Sequence, residues 1–289
     1  MSIFKIFMTG FRTANKKAKM LVYLWVINLL FCLFAVTPLY FLISKEFSRS
    51  FTGEQIGIGL NMMWLGDFMY KYKEFYPAFI GWILVFIILI FLFSIYLNGG
   101  IIGRIVSEDE RITFADFLSD CGKYFPRFFR VALLTLVGYF IVFGLLFYAV
   151  SQLFKVWARN ASTEWPLIIS SNIKFLIALL LFTIVRMFFD YVKIRLVVED
   201  SKKSIRATLL NIPFIKRNFF KAWALFLCVG LIVCALSVIF ILVNSFLPRA
   251  GALLIVGVLW GQIYMFIKIW TKLLFFSTEY HFLSLRGLR

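Results

Sequence analysis

Apolar positions in this chain fall into long uninterrupted blocks, and six of them (20–44, 78–98, 131–154, 167–189, 222–247 and 251–273) stand out. A helix rises about 1.5 Å per residue, so roughly 20 apolar residues cross a hydrocarbon layer of about 30 Å. Each block reaches that length and predicts a membrane-spanning helix. Pro77, Pro166 and Pro248 stand just outside spans, where a missing N–H is tolerated. The first block follows Lys5, Arg12, Lys16, Lys17 and Lys19, in the manner of a secretory signal. Its apolar part exceeds the roughly 7 to 15 residues of a signal core and no clear cleavage site follows, so it reads as a retained first span.

Between blocks the pattern changes to helical amphipathicity. Ile3, Phe4, Phe7, Met8 and Phe11 recur at helical spacing, as do Phe114, Phe117, Leu118 and Cys121, with Asp116, Ser119 and Asp120 opposite. Such segments predict helices lying in the membrane interface, apolar side down. Gly10, Gly122 and Pro213 sit near matching places where the chain can bend into the next span.

Composition agrees with the blocks: 62% of the 289 residues are hydrophobic and 16% charged, against roughly 45–50% and about 25% in soluble domains. Charge then sets direction. Four segments (the N-terminus, 99–130, 186–221 and the stretch from Lys268) hold 23 of the 31 Lys and Arg, leaving eight for the intervening loops. Short basic loops resist translocation, which predicts both termini in the cytoplasm and location in the cell inner (cytoplasmic) membrane. The net charge of +17 then faces anionic lipid head groups, the expected partner of the cytoplasmic face. Division of the basic residues among four separated segments argues against a nucleic-acid partner.

An internal repeat is visible at an offset of 91 residues, which aligns 104–134 with 195–225 without a gap. Arg104/Arg195, Val106/Val197, Glu108/Glu199, Asp109/Asp200, Leu118/Leu209, Phe128/Phe219, Phe129/Phe220 and Leu134/Leu225 are identical, and Arg111/Lys202, Thr113/Ser204 and Arg130/Lys221 keep their chemistry. An offset of 202 weakly matches Ser2-Ile3 to Ser204-Ile205 and Lys19 to Lys221. The expected fold is an all-α membrane protein: six transmembrane helices as three parallel hairpin repeats (about 2–103, 104–194 and 195–289), each preceded by a cytoplasmic amphipathic helix, in one polytopic domain.

Ionisable residues near spans are the candidates for function. Lys174 and Arg186 lie twelve positions apart, about 18 Å of helix, so both can snorkel to opposite interfaces. Arg186, Asp190, Lys193 and Arg195 bring opposite charges within i, i+3 and i, i+4 reach. Glu199 and Asp200 follow, and their repeat counterparts Glu108 and Asp109, beside Arg104, could meet basic residues of a neighbouring repeat. These nine residues form a candidate ion-pair network at the inner face, expected to set how the hairpins pack rather than to relay protons or substrate. Asn28, Asn98, Gln152, Asn172, Asn244 and Gln262 are expected to bond across helices or reach interfacial water, and Gly99, Gly100 and Gly103 to let backbones approach closely.

Catalytic, cofactor-binding and metal residues are not assigned. His281 is the only histidine, Gly57-Ile58-Gly59 is too short for a phosphate loop, and Cys32, Cys121, Cys228 and Cys234 match no zinc spacing and read as reduced apolar side chains. Asn160-Ala161-Ser162 fits a glycosylation sequon on the outer side, a three-residue pattern that arises by chance.

The stretch Asp190 to Ser204, DYVKIRLVVEDSKKS, resembles a recurring segment of uncharacterised six-span bacterial membrane proteins. These are similar in layout to the membrane domain attached to some glycerophosphodiester phosphodiesterases. The resemblance implies a membrane module of unknown role, without the soluble catalytic barrel, and transfers no catalytic residue. The expected function is accordingly a non-enzymatic scaffold or regulatory partner of a membrane process, engaging a membrane-protein partner. A small permease or transporter subunit moving substrate between the hairpins is the alternative, and a membrane-embedded lipid enzyme the third reading.

Overall fold

A computed structural model describes residues 3–47, 66–67, 70–107, 109, 113–158, 163, 165–247 and 254–286. Glu108, the Gly57–Gly59 run and the Asn160–Ser162 sequon lie outside these residues. Every regular element among them is helical: α1 (Ile3–Lys16), α2 (Lys19–Phe47), α3 (Tyr76–Val106), α4 (Phe114–Ile141), α5 (Tyr148–Ala158), α6 (Trp165–Val198), α7 (Ser204–Phe246) and α8 (Leu254–Arg286). A π-helical turn, Val142–Phe147, joins α4 to α5. Five helical stretches are long and apolar enough to cross a membrane: Lys19–Pro38, Ile80–Val106, Phe114–Val156, Trp165–Val198 and Ser204–Phe246. The chain is thus an all-α, multi-pass membrane protein.

Several helices outrun the bilayer. The 34 residues of α6 extend about 51 Å, more than a hydrocarbon layer of about 30 Å, and its packing concentrates towards the C-terminal end. Val185, Met187 and every residue from Phe189 to Val197 except Lys193 are buried, on all sides of the helix. This end lies inside protein although it carries the buried charges of Asp190 and Arg195.

The folded chain divides into two compact units, one of residues 1–13, 95–228 and 274–289, the other of residues 14–94 and 229–273. In the first, Tyr191, Phe214 and Phe282 form an aromatic triangle with ring centroids 5.7–6.0 Å apart. The glycines at the end of α3 lie against the start of α4: a Cβ on Gly100 would meet the Phe117 ring at 2.7 Å, and one on Gly103 would meet Cβ of Asp120 at 3.0 Å. Thr113 caps α4 by accepting the Asp116 N–H at 3.2 Å. In the second unit, Trp25 stacks on Phe266 at 5.2 Å and donates its indole N–H to Gln262 Oε1 at 2.9 Å, while Phe240 and Tyr264 stack at 3.9 Å. Asn28 instead donates to the Leu24 carbonyl of its own helix.

The bends differ from those the sequence suggested. The helix is interrupted at Lys17–Ala18 and kinked at Asn218 (φ −120°, ψ 16°), whereas α4 runs through Gly122 unbroken. Gly10 serves another purpose, because a Cβ there would sit 2.7 Å from Cα and 2.8 Å from N of Thr278 in α8. It lets two backbones touch. The four cysteines are free thiols, with Cys121 buried.

Candidate functional site

The buried end of α6 in the first unit carries most of the candidate charges, and the geometry sorts them into separate clusters. Asp190, 5% exposed, accepts from Lys193 Nζ at 2.7 Å and lies 3.9 Å from Arg186 Nε. One turn of helix thus brings two cations to one carboxylate, as i, i+3 and i, i+4 spacing allows. The Arg186 guanidinium also covers the Phe275 ring at 5.6 Å.

One turn further on, Arg195 faces the other way, with Nε 3.4 Å from Glu199 Oε1 and a guanidinium N–H donated to the Leu210 carbonyl of α7. Its plane lies 5.7 Å from the Phe214 ring. Asp200 ends α6 in the left-handed region (φ 42°). The Ser201 N–H bonds back to the Leu196 carbonyl and the Asp200 N–H to Val197, a Schellman turn with aspartate where glycine is usual. Arg127 of α4, at 2.6 Å, and Lys123, at 3.4 Å, hold the Asp200 carboxylate. Hydrogen bonding from Arg127 keeps that carboxyl below its ordinary range. Arg104 pairs with Asp120 of α4, and Asp109 lies within electrostatic range of Arg104.

Eight of the nine predicted residues therefore occupy three places: Arg186, Asp190 and Lys193 in one, Arg195, Glu199 and Asp200 along the turn into α7, and Arg104 with Asp109 at the end of α3. The partners missed from sequence are Asp120, Lys123, Arg127 and above all Glu279. Glu279 is 1% exposed, and neither carboxyl oxygen has a hydrogen-bond partner. Burial, and next the charge of nearby Asp190, push its carboxyl well above the ordinary range, against the opposing pull of Arg186 and Lys193. The Tyr191 hydroxyl and Ser277 Oγ are likewise buried without partners. Periodicity carried a signal for Glu279. It lies three and four residues after Phe276 and Phe275, and three and four before Phe282 and Leu283, which places an acid on an apolar face.

His281 Nε2 lies 2.8 Å from Thr13 Oγ1 of α1, and burial lowers its pKa. The imidazole ties α1 to α8.

The arrangement can hold a proton. A protonated Glu279 is the stable form inside the fold, whereas the unfolded chain ionises above about pH 4.3. Stability contributed by this residue is therefore fully present below that pH and declines as pH rises towards the raised folded value. Glu279→Gln should leave stability near pH 5 almost unchanged and raise it by about 1–3 kcal/mol at pH 8. Thermal unfolding in detergent at the two pH values checks this, and an equal shift at both would remove the buried acid from the account.

Comparison of the chain with protein-family models, with curated proteins and with solved structures returns no match to any of them.

Proposed function

We propose that this protein is a bacterial inner-membrane protein of six spans and three hairpin repeats, a non-enzymatic scaffold or regulatory partner that binds another membrane protein through its spans. The observation carrying this reading is how little the chain covers its own membrane helices. In the most apolar stretch of each of the five long helices, only 6–17% of the residues are buried. Phe140, Leu231, Ile241 and Val258 are each more than half exposed. Tight burial is instead reserved for the charged, aromatic end around α6. Such a chain holds one rigid end together with its own contacts and leaves its spans open to lateral association.

The repeat is supported by matching element ends. Helix α3 closes at Val106 and α6 at Val198; α4 opens at Phe114 and α7 at Ser204, each close to an offset of 91. At the offset of 202, the end of α1 at Lys16 falls on the kink at Asn218. Helix α8, with 33 residues, supplies the sixth span at about 50 Å of length. Phe4, at 68% exposure, and Met8, at 37%, lie open on α1, as an interfacial helix requires. Resemblance of 190–204 to six-span bacterial proteins fits the same layout.

A photoreactive amino acid at Phe140, Leu231, Ile241 or Val258, irradiated in native membranes, tests the scaffold reading. It predicts a crosslinked protein of discrete mass from positions sharing a face. Lipid adducts alone at all four positions would refute it. The second reading, a permease, is favoured by the unpartnered carboxyl of Glu279, since a buried acid beside Asp190 suits a coupled proton. It predicts that Glu279→Gln abolishes proton flux in proteoliposomes, whereas the scaffold reading predicts none to abolish.

A further inference from the structure

In the first unit, α4, the turn before α7 and the start of α7 line an open groove of about 650 Å³ with both apolar and basic residues. Its wall is Leu133, Leu134, Val137, Ile205 and Leu209, and its rim is Arg130, Lys202, Lys203 and Arg206. Among the described residues, no acidic side chain lines it. The two acids just before Lys202 in sequence are paired: Asp200 with Arg127 and Lys123, Glu199 with Arg195. Among the described residues, no ion pair includes any of the four rim cations.

The rim is held in place. The Ser204 hydroxyl, buried, donates to the Arg127 carbonyl at 3.2 Å, fixing the start of α7 to α4. The Arg130 guanidinium donates to the Lys202 carbonyl at 3.5 Å. A rigid turn therefore presents four cations above an apolar furrow.

We propose that this groove binds one anionic phospholipid, its phosphate among Arg130, Lys202, Lys203 and Arg206 and an acyl chain along Leu133, Val137 and Leu209. Charge complementarity selects an anion, and the apolar wall selects an anion that carries a hydrocarbon tail. A volume of this size suits a specific ligand site. A soluble phosphate would leave the wall wet, and a neutral lipid would leave the rim unanswered.

The test uses the full chain purified in a neutral detergent and read by native mass spectrometry. Phosphatidylglycerol and phosphatidylcholine of identical acyl chains are titrated in parallel, with glycerol phosphate as the tail-free competitor. One phosphatidylglycerol per chain should be retained at concentrations where phosphatidylcholine is not. Each cation near an anionic lipid contributes a factor of about five, so Lys202→Gln/Lys203→Gln/Arg206→Gln should weaken retention roughly a hundredfold. Lys216→Gln/Arg217→Gln, also on α7 but outside the groove, should change it less than threefold. Leu209→Asp gives a second route, removing affinity through the wall with the rim intact. Equal retention of both lipids, equal loss from the two charge variants, or displacement by equimolar glycerol phosphate would each overturn the proposal.

Discussion

Asp190→Ala is expected to cost about 3 kcal/mol of unfolding free energy, because it strands Lys193, and beside it Arg186, without their carboxylate. In a chain of this size the unfolding midpoint in detergent should fall by roughly 5 °C. The sharper consequence concerns Glu279. With Asp190 present, Glu279 is a surplus acid, held neutral by burial and by its neighbour's charge. With Asp190 removed, Glu279 remains within electrostatic range of Arg186 and Lys193 and can ionise to answer them. Glu279→Gln should therefore stabilise the parent protein at pH 8 but destabilise the Asp190→Ala variant by about 1–3 kcal/mol. Additive effects in the double variant would show that the two acids do not interact.

Among the described glycines outside the α3–α4 contact, Gly10→Ala is expected to cost the most. The added Cβ would collide with the backbone of Thr278, which cannot swing aside as a side-chain tip can. Relief requires α1 to move off α8, at about 1–3 kcal/mol for the strain, with loss of the Thr13–His281 hydrogen bond adding about 1 kcal/mol. A detached 14-residue helix is marginal by itself in water. Amide hydrogen exchange over residues 3–16 should accelerate about a hundredfold. Gly230, where a Cβ meets nothing within 4 Å, gives the opposite sign: alanine there should leave stability unchanged or raise it by up to about 1 kcal/mol.

The contrast between these glycines shows where sequence reading reaches and where it stops. Hydropathy blocks locate the long helices, because membrane spanning is decided by length and composition within one segment. Spacing within a helix makes the Asp190–Lys193 and Arg195–Glu199 contacts legible in the same way. Arg127–Asp200 bridges 73 positions and Thr13–His281 bridges 268; no local pattern encodes such pairings. Gly10 looked like a hinge because glycine serves both bends and close contacts, and only the position of Thr278 separates the two. Glu279 escaped notice because the last apolar block ends at residue 273 and the burial of the residues beyond it depends on elements distant in sequence. The apolar rows before and after it, Phe275 with Phe276 and Phe282 with Leu283, are all buried.

Burial of charge at one end and exposure of the spans belong to one physical design. Lipid covers apolar side chains without help, so helices need few contacts inside it. The first unit has its own core of Tyr191, Phe214 and Phe282, with Arg195 and Arg286 over two of the rings. The ion pairs around that core satisfy charges that would otherwise make the end costly to bury.

The account depends most on six crossings with both chain ends and the packed end of α6 on the cytoplasmic side. A reporter that fluoresces only in the cytoplasm, fused in turn to the N-terminus, to the C-terminus and into the loop around residue 160, measures this directly. Signal from both termini and none from the loop is the predicted result. Signal from one terminus alone would mean an odd number of crossings and would contradict the threefold arrangement.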